Sequence, residues 1–421
     1  MNRVGIVGGG IIGLSSAYYL IKRGFKVTIF DKTDLSESCS IGNAGMIVPS
    51  HIIPLASPGM ISRGFRWMFN SSSPFYVKPR FNRDLIQWGY QFYKHSNKKH
   101  VERSVPALKN LSLYSKSLYK QWSDELPFDF GYKEKGLLML YQNSETEKEE
   151  LEAVHVANKA GVEAHILSSK EIQDLETQVR VTARGGVYYP GDAQIIPQLL
   201  VTHLISYLKQ MGVVFQTSTK ITGFQPDDRR IKFLTTDRGD FEVDNVVIAA
   251  GSWSGALLGM FEISVPMQAG KGYSFTLNDV AQNIQIPTIF LEPRVAVTPM
   301  GNSLRFGGTM EISGVDHSIN MNRVKGIVNS IPDYYPDMKV GIPKIENVWH
   351  GLRPCSPDGL PYIGKSKKWI NLTIATGHAM LGMSLAPGTG KIVSDGIMEE
   401  HLDLNIDAFD PERYDDRNRL K

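Results

Sequence analysis

A glycine turn set between a short apolar run and a helix-forming stretch limits what the N-terminus can fold into. Arg3 to Val7 is mostly apolar and ends at glycines, as a parallel strand buried on both faces does. Gly8, Gly10 and Gly13 then match G-x-G-x-x-G. The first admits the tight turn, the second lets backbone approach a pyrophosphate, and the third lets a helix pack closely on the strand. Ile12, Ala17, Leu20 and Ile21 supply the apolar side of that helix, and Gly24 beyond Arg23 stops it. Lys26 to Phe30 reads as the next strand. Asp31 follows, 18 residues after Gly13, where a carboxylate accepts hydrogen bonds from both ribose hydroxyls of an adenosine and disfavours a 2′-phosphate. The expected dinucleotide contacts of this unit are Gly8, Gly10, Ile11, Ile12, Gly13, Asp31 and Lys32. The alternative is an ordinary glycine-rich turn with no nucleotide, and strand context, helix length and acid position together weigh against it.

The chain has room for two or three domains, with 421 residues and 42% apolar content typical of a globular protein. A net charge of +3, with Lys and Arg scattered, sets nucleic acid aside as a partner. Two cysteines, Cys39 and Cys355, make no disulfide framework and have no CxxC spacing, so no metal site is expected and a reducing, cytoplasmic setting is. No signal-peptide pattern precedes the first strand, and no run of about 18 apolar residues is present to span a membrane.

Along the chain, Ile41 to Pro49 is a loop of small residues able to lie against a flat ligand, with Asn43 offering donor and acceptor. Residues 50–80 combine Ile52, Ile53, Leu55, Met60, Phe65, Trp67, Met68 and Phe69 with Arg63 and Arg66. They read either as a loop on the core or as an apolar surface that lids a substrate cavity or meets a bilayer, at the inner face of the membrane in this setting. Helical periodicity runs from Arg83 to Leu126. Ser168 to Glu171 forms a capping box. Gly185 to Tyr189 leads through Pro190-Gly-Asp-Ala into an apolar helix. Asn245 to Ala250 is a buried strand stopping at Gly251, where the chain rejoins the parallel sheet opened at residue 3. Pro266 to Glu311 reads as antiparallel sheet, and a last helix is expected to open near Gly388 with Gly388-Thr-Gly390. The fold class is therefore α/β (α+β overall): a Rossmann-like domain from 1–49, 186–262 and 351–421, and a mainly antiparallel substrate domain from 50–185 and 263–350.

Six stretches in this order resemble the D-amino-acid-oxidase-like flavoproteins, a group that includes glycine and sarcosine oxidases, and within it the bacterial D-amino acid dehydrogenase branch. They are Gly8 to Gly13 with Asp31; Asn43-Ala-Gly45; Ala249-Ala-Gly-Ser-Trp253; Lys271-Gly-Tyr273; Gly351-Leu-Arg-Pro354 with Pro357-Asp-Gly359; and Gly377-His378 with Gly382. The resemblance implies one FAD, held non-covalently, with Asn43, Ala44, Gly45 and Met46 near the flavin. It also implies Ala250, Gly251 and Trp253 near the dinucleotide, and Gly377, His378, Leu381, Gly382 and Met383 around the ring. Arg353 is implied as the guanidinium that forks onto a substrate carboxylate, a pairing suited to its planar donors. Tyr273 and His378 would complete recognition, and Lys271 would place a cation near the flavin. Met380 stands where glycine oxidases have an arginine, Arg294 is a secondary cavity candidate, and Arg305 is expected at the surface.

The implied activity is oxidation of a D-amino acid, such as a D-proline or hydroxy-D-proline type, by hydride transfer from the α-carbon. The acceptor would be a quinone or another electron carrier. Two alternatives are an oxygen-using oxidase of secondary amines such as sarcosine or glycine, for which Lys271 speaks, and a flavin-binding subunit of a larger dehydrogenase complex. An NAD dehydrogenase would leave the small-residue stretches near 43 and 377 without a role. No paired histidine and carboxylate is evident in the sequence.

Overall fold

The computed structural model describes residues 2–36, 38–60, 73–78, 80, 82–402 and 404–415. The glycine turn opens a six-stranded sheet with the order Tyr362–Lys365, Leu372–Thr376, Asn245–Ile248, Arg3–Val7, Lys26–Phe30, Val214–Gln216. All neighbours are parallel except the edge pair 362–365 and 372–376. Alternation along Arg3–Val7 sends Val4 and Ile6 to one face, where they pack on Leu14, Ala17, Leu204 and Val393 from three helices: Ile11–Lys22, Pro197–Gln210 and Gly382–Met398. The opposite face carries Val7, Phe30, Val246 and Ile248 under a small antiparallel sheet, Ile221–Asp227, Arg230–Thr236 and Gly239–Glu242.

A second, nine-stranded sheet has the order Trp349–Cys355, Gln268–Leu277, Ser303–Ile312, Val295–Met300, Thr288–Phe290, Leu137–Tyr141, Gly185–Tyr189, His165–Ser168, with Phe75–Val77 beside Ser303–Ile312. Its pairs are antiparallel except 288–290 with 137–141 and 303–312 with 75–77. Helix Met321–Tyr334 covers one side through Val324, Ile327 and Ile331. Gly185–Tyr189 and Trp349–Cys355, which the sequence division puts wholly or largely with the nucleotide segments, hydrogen-bond into this second sheet. An apolar run shows that a strand exists but not which sheet it joins.

The last helix corrects the expected start. It begins at Gly382, not near Gly388, and runs through Pro387 to Met398. Gly388 and Gly390 serve packing instead of opening the helix. A Cβ at Gly388 would press on Ser115 and Leu111 of helix Lys98–Glu125, and one at Gly390 would overlap the backbone of Ser15 in helix Ile11–Lys22. Within 50–80, Ile52 is buried and Ile53 exposed, whereas Arg63, Phe65, Arg66, Trp67, Met68 and Phe69 lie outside the described residues. No described helix is long and apolar enough to cross a membrane.

Candidate active site

One cavity of about 1180 Å³ is walled by both sheets, larger than the roughly 300–1,000 Å³ usual for a small ligand. It reaches from Gly8, Asp31 and Lys220 to Arg294, Thr309 and Arg353.

The first end is built by the glycine turn. Gly8 has φ +111° and a Cβ there would overlap the carbonyl of Ala249; a Cβ at Gly13 would overlap the carbonyl of Gly8. Gly10, Ile11 and Ile12 face the cavity at the start of a helix with no acidic residue in its first turn, an arrangement that suits a pyrophosphate. Asp31 is held beside it: its carboxylate accepts the Gly9 N–H at 2.8 Å and the Thr33 N–H at 2.9 Å. Lys32 lies 3.8 Å above the Trp253 ring, and burial pulls its pKa down. Ala250, Gly251 and Trp253 complete this wall.

The middle is formed by Asn43, Ala44 and Met46 on one side and His378, Leu381, Gly382 and Met383 on the other. Gly45 and Gly377 stand behind it, where side chains would meet the Ile195 carbonyl and the Tyr362 ring. Helix Gly382–Met398 starts here, with its N-terminus at the cavity wall. His378 is buried and its Nε2 pairs with Thr389 Oγ1 at 3.0 Å; burial pushes its pKa down to about 3, so the ring is neutral. Arg305 corrects the expectation of a surface residue. Its guanidinium is buried, pushed down to about 10 by desolvation, and donates to the carbonyls of Ile41 at 3.0 Å and Asn43 at 2.7 Å, clamping the small-residue loop.

At the far end Arg353 and Arg294 line the cavity, with Met380 at 49% exposure beside them. In the antiparallel register Arg353 faces Gly270, which puts its side chain on the same side of the sheet as Gly272. A Cβ at Gly272 would overlap the Arg353 guanidinium, so the group lies flat on that glycine. Its Nη1 donates to the Thr309 carbonyl at 2.7 Å. No carboxylate among the described residues pairs with it, and burial lowers its pKa.

Lys271 requires correction because it does not line the cavity, whereas Tyr273 does. Strand alternation turns both side chains away from the face of Arg353. Lys271 is fully buried there; its Nζ donates to Asp316 Oδ2 at 2.9 Å and the Ser318 carbonyl at 2.7 Å, and stands 3.8 Å from Glu311. Tyr273 forms part of the cavity wall, but its hydroxyl donates to Glu311 at 3.2 Å and accepts the Asn320 N–H. Arg323 closes the cluster on Glu311 at 3.3 Å.

Four features escaped the sequence. Trp349 lies over Gly42 and Gly351, where any side chain would overlap its indole; a glycine two residues along the same strand was the available signal. Thr309 has φ +64° at a register irregularity opposite Gly272, and its buried Oγ1 has no partner among the described residues. Arg305 is the third. The fourth is a histidine joined through a serine to a carboxylate, His51, Ser50 and Asp192, from segments 142 positions apart.

A family model of FAD-dependent oxidoreductases, the DAO family, matches residues 3–396. The chain is 30% identical over 418 residues to a protein named D-amino acid dehydrogenase from Granulibacter bethesdensis, covering 97% of this chain and 99% of that one. A protein of the same name from Neisseria meningitidis is 28% identical, at 98% and 99% coverage. Among solved structures, glycine oxidase from Geobacillus kaustophilus superposes with a TM-score of 0.77 at 23% identity, over 98% of this chain and 99% of that one. L-proline dehydrogenase from P. horikoshii gives 0.75 at 20%, over 100% and 98%. With its glycine turn, paired sheets and two-ended cavity, the chain belongs to the DAO family of FAD-dependent oxidoreductases.

Proposed function

We propose that the protein oxidises the α-carbon of a D-amino acid, as a D-amino acid dehydrogenase. The observation that carries the reading is Arg353: a half-buried guanidinium on the cavity wall, anchored by a backbone carbonyl and left without an anionic partner among the described residues. Such a group favours a carboxylate ligand. The relatives' name, D-amino acid dehydrogenase, supports the substrate class.

The wall residues fit FAD: a glycine turn for the pyrophosphate, Asp31 for the ribose, and a helix N-terminus at Gly382 beside the ring segment. FAD would supply the two-electron acceptor for the α-hydrogen, with a quinone or carrier as the onward acceptor. Arg353 would fix the carboxylate, and so help set whether the single α-hydrogen of a given enantiomer faces the ring. Neutral His378 and the Asn43 to Met46 loop, held by Arg305, shape the flavin wall. Non-covalent retention is part of the proposal: Cys355 is buried away from the cavity wall with its thiol pushed up to about 12, and burial also pushes up the thiol of Cys39, which lines the cavity. Division of labour between the two sheets, cofactor on the parallel one and substrate on the larger, is part of the same proposal.

Peripheral contact with a bilayer through 50–80 extends it. The helix that follows, Arg83–His95, exposes Ile86, Tyr90 and Tyr93 on its outer side, an apolar stripe suited to an interface. The oxidase reading depended on Lys271, which is committed to Asp316 on the far face of the sheet. Anaerobic mixing of the flavin-loaded protein with a panel of D-amino acids, glycine and N-methyl amino acids tests the proposal. Bleaching by a D-amino acid supports it, and bleaching by none of the panel ends it.

A further inference from the structure

The segment Met46–Ile47 pairs antiparallel with Ala193–Gln194, with Met46 opposite Gln194 and Ile47 opposite Ala193. This short ribbon brings the turn at 48–51, closed by the His51 N–H on the Val48 carbonyl at 3.0 Å, against the Gly191-Asp192 corner. Asp192 is 1% exposed. Its Oδ1 accepts the Ser50 N–H at 3.0 Å and its Oδ2 the Ser50 hydroxyl at 2.5 Å. Ser50 Oγ in turn lies 3.0 Å from His51 Nδ1. A serine hydroxyl has one proton. With that proton on Asp192, the oxygen accepts from Nδ1–H, which fixes the imidazole tautomer and leaves Nε2 as a bare acceptor. His51 lines the same cavity as Arg353 and feels the charge of Arg294.

We infer that Asp192, Ser50 and His51 form a proton relay that takes the ammonium proton of the bound amino acid, with His51 Nε2 as the group that meets the substrate. The inference rests on the functional reading above, because an α-carbon gives up hydride readily only when its nitrogen is neutral. In the step, the N–H bond of the ammonium breaks and a proton bonds to Nε2. Nδ1–H passes its proton to Ser50 Oγ, and the Ser50 proton moves to Asp192, which ends as a carboxylic acid. No electrons are transferred, and one charge is neutralised at each end.

The surroundings suit that traffic. Desolvation pushes Asp192 up to about 7, against the pull of the two Ser50 hydrogen bonds and Lys116. His51 is pushed down to about 4 by burial and by Arg294, so it conducts a proton rather than storing one. Other ionisable groups on the neighbouring elements include Lys133, which bridges Gln194, Tyr188 and Tyr189 on their strand, and Glu149 and Glu150 of helix Ser144–Lys159.

The test has two arms on the flavin-loaded protein. In the first, the rate of anaerobic flavin reduction per unit substrate is followed against pH. A receiving group near 7 makes it about tenfold slower at pH 6 than at pH 8. Ser50→Ala and Asp192→Asn should lower it roughly a hundredfold at pH 7 and move the limb up to the substrate's own ammonium titration. Ser50→Thr, which keeps a hydroxyl, should restore both. In the second, ¹⁵N-histidine spectra, assigned with His51→Gln, report the His51 tautomer without substrate. Nδ1–H is expected, and Ser50→Ala should abolish the preference. An unchanged pH limb in folded Ser50→Ala, or an Nε2–H tautomer in the parent protein, overturns the relay. If no amino acid bleaches the flavin the functional reading fails by itself, and the tautomer still decides the relay's geometry.

Discussion

The two faces of one strand, Gln268–Leu277, carry opposite kinds of chemistry. On the face that carries Arg353, Gly272 offers no side chain, and the guanidinium lies across it with the Thr309 carbonyl as its hydrogen-bond partner among the described residues. On the other face, one residue away, Lys271 and Tyr273 are tied to Asp316, Glu311, Ser318 and Asn320. An unpaired guanidinium is available to a ligand, whereas a fully paired ammonium is not. Charge type and sequence proximity are the same on both faces; satisfaction of the buried groups separates a recognition site from a structural brace.

The sharpest way to break the contrast is to disturb the open face. Arg353→Ala should cost roughly 2–5 kcal/mol of substrate affinity, read as a raised KM with the flavin spectrum and melting temperature retained. Gly272→Ala should approach that effect, because its methyl would displace the guanidinium from its resting place. A normal KM in Gly272→Ala would mean that the guanidinium does not need that surface.

The opposite outcome is expected for the closed face. Lys271→Met leaves Asp316 without its cation and Glu311 with Arg323 alone, which should cost roughly 1–3 kcal/mol of stability while the KM of the surviving folded protein stays within a few fold. A change in oxygen reactivity with unaltered stability would reassign Lys271 to the flavin side.

How much of this was legible depends on range. The first βαβ unit was readable because turn, helix and acid lie within a few residues of one another. Arg353 could be singled out because its motif is local, and it lies on the cavity wall. Lys271 and Tyr273 share a face of their strand, as period-2 alternation requires. Which face meets the cavity is decided by register with 349–355, some 80 positions away, and no local pattern encodes that. Arg305 was misjudged for the same reason: its partners are the carbonyls of Ile41 and Asn43. Gly388 and Gly390 look like a helix opening in the sequence, but their role is close approach to two other helices. The pairing of Ser50 with Asp192 depends on a two-residue ribbon that periodicity cannot detect.

Smaller effects refine the comparison. Thr309→Gly keeps the carbonyl that holds Arg353 and removes a β-branched side chain from positive φ. It should stabilise the fold by roughly 0.5–1 kcal/mol after the added chain entropy is subtracted, visible as a slight rise in melting temperature. Acid should act through His51 and His378, whose folded-state pKa values, about 4 and about 3, lie below the ordinary 6.5. Their neutral burial contributes stability that is complete above about 6.5 and is lost as pH falls through 4 and then 3. His378→Gln should flatten the pH dependence of thermal melting in that window.

The central claim is that a bound flavin and a carboxylate-binding guanidinium share one cavity, and anaerobic titration of the flavin absorbance with D-amino acids tests it most directly. The account predicts full bleaching in the parent protein and a midpoint displaced at least thirtyfold, about 2 kcal/mol, in Arg353→Ala. Equal midpoints in the two proteins would contradict it.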